Sequence, residues 1–226
     1  IFDEDIIKHN ILRFNLNIKK NIFSIFSLYK LYKIIKNYEP EIITTWMYHS
    51  SFLTVILRKV ILSNKIPLVW CLRCSNMETQ YYSKLLKYFI LGCKYFSSCP
   101  NLIVNNSIDG KKFHNSIGFK NKHVVIHNGI DVNKFTYNKS QRNKLRIKYK
   151  ISEKAKVILC VGRNDPMKDH ITLISAFKKL RKEFSSTILI LVGSGTEEIK
   201  ISDGVIALGM RTDMNLVYSL GDIIVS

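Results

Sequence analysis

VILCVGRNDPMKDH, running from Val157 to His170, is the stretch that decides the fold. Consecutive apolar residues from Val157 to Val161 lead into Gly162, a polar loop follows, and a helical period opens at Ile171. Apolar side chains on successive positions mark a strand covered on both faces, as in a parallel sheet. Gly162 allows close backbone approach, while Arg163 and Lys168 stand on one loop above the strand end. An arginine fork and a lysine point charge so placed can hold a diphosphate. The helix start beyond them adds a potential favourable to anions. A capped turn with two solvated cations is the plain alternative, and spacing alone does not decide between them.

The same pattern recurs on either side. Candidate buried strands are Glu41–Thr45, Pro67–Leu72, Leu102–Asn105, His123–His127, Lys156–Val161, Thr187–Val192, Gly204–Leu208 and Asp222–Val225. Helical stretches lie between them near 24–37, 49–63, 79–96, 107–116, 169–184 and 211–220. Strand–helix alternation predicts an α/β fold of parallel sheets with helices on both faces. Composition shifts once, across the polar and basic stretch from Asn133 to Lys154. We therefore expect an N-terminal domain over 1–135, a basic connecting segment over 136–153, and the first part of a C-terminal domain over 154–226. Ligands of such sheets bind at the carboxyl ends of the strands.

Composition narrows the class. A chain of 226 residues with 46% hydrophobic content can bury a sizeable core. No apolar run reaches the roughly 18 residues of a membrane span, so a soluble body is expected. The chain opens on Ile1, and Gly221 to Ser226 read as a strand cut in mid-course, so a fragment is expected. No signal peptide is seen. Five cysteines, an odd number at irregular spacing, argue against a disulfide framework and for a reducing, cytoplasmic setting. Cys71-x-x-Cys74 lacks a second ligand pair for zinc, so no metal site is expected.

The net charge of +18 fits phosphorylated substrates, an anionic membrane face or nucleic acid, and equally a Lys-rich composition throughout. Six basic residues and no acid lie between Lys139 and Lys150. A nucleic-acid module would need a stacking platform or a reading helix, and neither is evident.

Other strand ends also carry polar residues. Thr187–Val192 leads to Gly193-Ser194-Gly195, where glycines let the chain pass close to a ligand. A third strand end carries Gly209-Met210-Arg211. In the N-terminal half, Thr45 leads to Trp46-Met47-Tyr48-His49, with His49 at a helix start where the dipole lowers imidazole basicity. Leu72 is followed by Arg73, Cys74, Ser75 and Asn76, and Leu102–Asn105 by Asn106 and Ser107. Asn128-Gly129-Ile130-Asp131 reads as a turn with positive φ at Gly129.

Taken in order, these segments resemble the GT-B glycosyltransferase family numbered four, of the bacterial surface-polysaccharide type. The resemblance runs through His123-Val-Val-Ile-His-Asn-Gly-Ile-Asp-Val-Asn-Lys-Phe135, Val161-Gly-Arg-Asn-Asp-Pro-Met-Lys-Asp-His170, Ile190-Leu-Val-Gly-Ser-Gly195, Leu208-Gly-Met-Arg211 and Leu220-Gly-Asp-Ile-Ile-Val-Ser226. It extends to Trp46–Ser51 and Trp70–Asn76. It implies two Rossmann-like domains, both incomplete here, and no cofactor or metal. The implied reaction is retaining transfer of a sugar from a UDP- or GDP-linked donor to a hydroxyl of a saccharide or lipid-linked acceptor. Arg163 and Lys168 match the family's cations on the donor diphosphate, and His49 a crevice residue of its catalytic centre. Gly162, Gly193, Gly195 and Arg211 match the donor side. Arg73, Asn76, Asn105 and Ser107 are candidates for the acceptor crevice.

Two departures stand out. Arg73 occupies the position where many members carry a catalytic histidine, and arginine cannot act as a base. The family's Gly-rich loop is expected before Ile1 and its carboxylate-rich segment after Ser226, so the fragment alone is expected to be inactive. A non-catalytic nucleotide-sugar binder is the alternative. Ser24–Tyr38 and Tyr81–Phe96 mix lysines with aromatic residues, which suits peripheral contact with anionic lipid on the inner membrane face, or simply a packed helix with a solvated lysine side.

Overall fold

The computed structural model describes residues 6, 8–16, 18, 25–60, 66–75 and 84–226, which fall in two units, Ile1–Asn128 and Gly129–Ser226. In the first unit the elements run α1 (Ile25–Tyr38), β1 (Ile43–Trp46), α2 (Met47–Val60), β2 (Leu68–Leu72), α3 (Lys84–Tyr95), β3 (Leu102–Asn105), α4 (Ile108–Ser116) and β4 (His123–Val125). The four strands form a parallel sheet in the order β1-β2-β3-β4. Trp70 on β2 pairs with Thr45 and Ile103 and is fully buried. Tyr48, Leu72, Phe89 and Cys93 complete the core around it.

The second unit runs α5 (Lys139–Lys148), β5 (Lys156–Val161), α6 (His170–Glu183), β6 (Thr187–Val192), β7 (Val205–Ala207), α7 (Met214–Val217) and β8 (Ile223–Val225). Its sheet is parallel in the order β7-β6-β5-β8. The consecutive apolar residues of β5 feed two cores. Val157 and Leu159 pack with Leu145, Ile190 and Leu220 on one face, and Cys160 packs with Ile174, Phe177 and Leu189 on the other. Alternate side chains point to opposite faces, so a sheet covered twice needs apolar residues at every position.

The structure shifts several expected boundaries. β4 stops at Val125, because β3 ends at Asn105 and offers no partner beyond the Ile126 N–H. β1 begins at Ile43 and passes without a loop into α2, with Met47 making the corner at φ 69°. The helix expected over 211–220 is one α turn, Met214–Val217, followed by a 3-10 turn, Tyr218–Leu220. Gly129 is not among the positive-φ glycines: residues 126–131 run on without regular structure, and the expected tight turn is absent.

The basic stretch is no free connector. α5 belongs to the second unit, and Arg142 donates to the Ser219 and Leu220 carbonyls at 3.0 and 2.7 Å and pairs with Asp222 at 2.7 Å. Asp222 in turn accepts from the Val157 N–H at 2.8 Å, so the helix is tied to the start of β5.

Candidate functional site

The carboxyl ends of β5, β6 and β7 are stitched into one surface. Gly162 N–H donates to the Val192 carbonyl, Asn164 N–H to Ser194 and Gly193 N–H to Gly209, each at 2.8 Å. Thr196, fully buried, bridges the last two loops: its Oγ donates to the Gly193 carbonyl at 2.9 Å and accepts from Gly209 N–H at 3.1 Å. These contacts explain the glycines. A Cβ on Gly193 would lie 2.2 Å from Gly162 O, and Gly193 holds φ 148°. Gly195, at φ 79°, caps a short 3-10 turn. A side chain at either position would force the loops apart.

Arg163 follows Gly162 directly and is largely exposed, its side chain at 69%. Its Nε donates to Asp165 Oδ2 at 2.9 Å. Asp165 also caps the 3-10 turn Pro166–Lys168, accepting from Met167 N–H through Oδ1 at 3.0 Å. Lys168 is exposed at the end of that turn, and its stem lies across Gly162, where a Cβ would sit 3.1 Å from Cγ and Cδ. The loop thus presents both predicted cations at one strand end.

The helix N-terminus beyond them differs from expectation. Asp169 caps α6 from the left-handed region, φ 41°, and its carboxylate accepts from Thr172 N–H at 3.2 Å. A negative side chain already serves the α6 amides, so the favourable anion potential expected there is offset locally. His170, which sequence reasoning passed over, is buried. Its Nε2 lies 3.3 Å from the Arg163 carbonyl and its Nδ1 3.8 Å from Cys160 Sγ. One tautomer satisfies both contacts, with Nε2–H donating to the carbonyl and the thiol donating to Nδ1. His170 therefore pins the backbone from which Arg163 projects.

Arg211 sits at the third loop but is occupied. It grips Asp213 through Nε at 2.8 Å and Nη2 at 2.6 Å, with Nη1 3.3 Å from the Tyr149 hydroxyl. The fork holds the Asp213 carboxyl below its usual range.

In the first unit, His49 lies in the first turn of α2 and packs its ring 4.4 Å from that of Phe89. Its basicity is lowered, and burial is the cause. His49 lines an apolar cavity of about 590 Å³ with Trp46, Ser50, Leu53, Ile35 and Leu16. Arg73 lies 4.7 Å over the Trp46 ring and donates to Asn128 Oδ1. Ser107 caps α4 by accepting from Gly110 N–H at 2.9 Å, and stands 3.2 Å from Ser75. Asn76 lies outside the described residues. Asn105 is fully buried, with Nδ2 2.9 Å from His123 Nδ1, because strand alternation turns it into the core.

Behind these loops runs a buried polar chain that the sequence did not announce. Cys74 Sγ lies 3.3 Å from the Tyr48 hydroxyl, which lies 2.7 Å from His114 Nε2, whose Nδ1 lies 2.6 Å from the Gly110 carbonyl. Burial lowers the His114 pKa to about 4 and pushes the Tyr48 phenol and Cys74 thiol up.

Residues 3–134, more than half of the chain, match the family model described as Glycosyltransferase Family 4, and residues 141–223 match Glycosyl transferases group 1. The chain belongs to Glycosyltransferase Family 4. An uncharacterised glycosyltransferase of Methanocaldococcus jannaschii is 26% identical to this family-four chain over 196 residues, covering 83% of the chain and 47% of that protein. HepE of Anabaena, in complex with UDP-glucose, superposes with a TM-score of 0.71 at 19% identity, over 88% of this chain and 55% of HepE. A glycosyltransferase of Rickettsia africae superposes at 0.69 and 20% identity, over 99% of this chain and 61% of its own. The two structures share the fold, two parallel-sheet α/β domains of the GT-B kind. The family-four chain spans about half the length of these relatives.

Proposed function

We propose that this chain forms part of a glycosyltransferase that moves a sugar from a UDP- or GDP-linked donor to a hydroxyl of a saccharide acceptor, retaining anomeric configuration and needing no metal. The observation that carries the reading is the stitched edge of the second sheet, with Arg163 and Lys168 on one loop above backbones that only glycine permits. Negative charge grows on a departing diphosphate, and fixed cations that need no reorganisation stabilise it. Arg163 uses Nε for Asp165, which in this reading leaves its two terminal nitrogens to donate to phosphate oxygens. Lys168 supplies a point charge. HepE, a relative in fold, is seen with UDP-glucose, which supports a nucleotide-sugar partner.

A lipid-linked acceptor in polysaccharide synthesis, met at the inner membrane face, is part of the same reading. It is supported by the apolar cavity beside His49 and by the basic surface of the chain. Among the described residues no helix is long and apolar enough to cross a membrane. A second reading, a binder of nucleotide sugars without transfer, is favoured by one observation. Asp165 and Asp169 flank the two cations, so the loop's formal charges cancel.

Titration calorimetry with UDP and UMP, and with GDP and GMP, tests the diphosphate role on the chain as it stands. The diphosphate of one base should bind more tightly than its monophosphate. Charge-assisted contacts of about 1.5–3 kcal/mol predict that Arg163→Ala or Lys168→Ala closes that gap by roughly tenfold or more, with melting unchanged. An undiminished gap in both variants removes the assignment.

A further inference from the structure

Two parallel connections in the second sheet are built differently. β5 and β6 are joined through α6, whose 14 residues cover one face of the sheet, as such crossovers usually do. β6 and β7 are also parallel, yet residues 193–204 between them hold only a three-residue 3-10 turn, Thr196–Glu198. That connection supplies no helix to lie beside α6. A groove of about 400 Å³ is left between α6 and the segment that follows the turn.

The groove combines two chemistries. Ile171, Ile174 and Ile199 give it an apolar lining, and Ile171 stands 80% exposed. Steps of four and three bring Ile171, Ser175 and Lys178 along one side of α6. Lys178 and, on the facing segment, Lys200 are exposed, and neither forms an ion pair among the described residues. Neither glutamate of the turn lines the groove. The Glu197 carboxylate lies against Gly209 instead, 3.0 Å from where a Cβ would stand.

The volume falls in the range of about 300–1,000 Å³ that small-molecule sites occupy. An inorganic anion would leave the isoleucines unused, and a neutral apolar molecule would leave the lysines unused. Lysine carries a compact charge on an apolar stem, which suits an acidic head on an apolar body.

We propose that this groove binds a small amphiphilic anion, with its apolar body on Ile171, Ile174 and Ile199 and its carboxylate or phosphate between Lys178 and Lys200. Asn164 also lines the groove, and its N–H holds the Ser194 carbonyl at 2.8 Å. A molecule seated here therefore touches the loop that presents Arg163 and Lys168 without taking up their charges. The site goes beyond the transferase reading and does not rest on it.

The test is titration of the full chain with sodium octanoate, octyl phosphate and 1-octanol, followed by amide NMR shifts at Ile171, Ile199 and Lys200. These shifts should saturate with at least one of the anions, and the tighter of the two names the head group. Octanol should bind there at least about fivefold more weakly, as for two partly exposed charge pairs. Lys178→Glu combined with Lys200→Glu should weaken the anion by about tenfold or more. Ser175→Trp, which fills the groove without changing its charge, should abolish saturation. Melting should be unchanged in both variants, because these side chains are exposed. The cavity beside His49 has no lysine or arginine in its lining and serves as the comparison: at Leu53 and Thr54 octanol should bind at least as well as octanoate. Absence of saturable shifts at the groove overturns the proposal, as do equal binding of octanol there and undiminished binding in either variant. Shifts of the same amides that grow with protein concentration alone would give the groove to a second copy instead.

Discussion

The carbonyl oxygen of Gly162 stands where a side chain on Gly193 would begin, 2.2 Å from the position of its Cβ. The contact locks two strand-end loops at one separation, and it is backbone against backbone, so neither side can yield by rotating. Gly193→Ala must distort the loops and hold alanine at φ 148°. We expect a loss of about 2–4 kcal/mol, read as a lower urea midpoint. Gly162→Ala meets only the flexible stem of Lys168 and should cost under about 1 kcal/mol while weakening diphosphate binding.

Asp169 sets a carboxylate and a left-handed backbone beside Lys168. Asp169→Gly removes the charge and suits φ 41°, and glycine replaces a capping side chain at a loss of only a few tenths of a kcal/mol. Stability should stay within about 1 kcal/mol, and diphosphate should bind roughly two- to fivefold more tightly, as for one exposed charge near a helix end. Weaker binding in calorimetry would show that Asp169 assists the site.

His114 gives the fold an acid sensitivity. Its folded pKa lies at about 4, below the ordinary 6.5, because burial disfavours the charged ring. As pH falls below 6.5 the unfolded chain takes up the proton first, so its stabilisation is complete above that value and is lost progressively down to about 4. The loss saturates at about 3 kcal/mol. Urea midpoints measured across this window should fall, and His114→Gln should flatten the fall while lowering stability at neutral pH.

Arg142 joins α5 to the carbonyls at Ser219 and Leu220 and to Asp222. Arg142→Ala leaves those partly buried acceptors without it, and about 2–4 kcal/mol should be lost. Arg142→Lys cannot reproduce the fork and should recover only part of the loss. An unchanged melting temperature for the alanine variant would mean that α5 is held by its apolar side alone.

Much of the fold was legible because parallel strands buried on both faces must be apolar at consecutive positions. Val157–Val161 and Thr187–Val192 carry that signature, and glycines close them where the loops cross. The placement of Arg163 and Lys168 on one strand-end loop was legible for the same reason. Other features depend on partners far away in the chain. His123 appears only as the start of a strand until it is seen beside Asn105, and Tyr48 as a helix residue until His114 and Cys74 meet its hydroxyl. Arg211 shows as a cation, and nothing in its position says that Asp213 has already claimed its fork.

By itself the amino-acid order determined periodicity, strand-end chemistry and the alternation that makes two parallel sheets, because these are properties of residues close to one another along the chain. Tertiary structure alone decided which charges are spent and which are presented. Asp165 and Asp169 temper the loop cations, Asn105 is folded inward, and the groove beside α6 is left open. The reason is physical. Burial and pairing depend on which side chains converge from distant segments, and periodicity does not record that convergence.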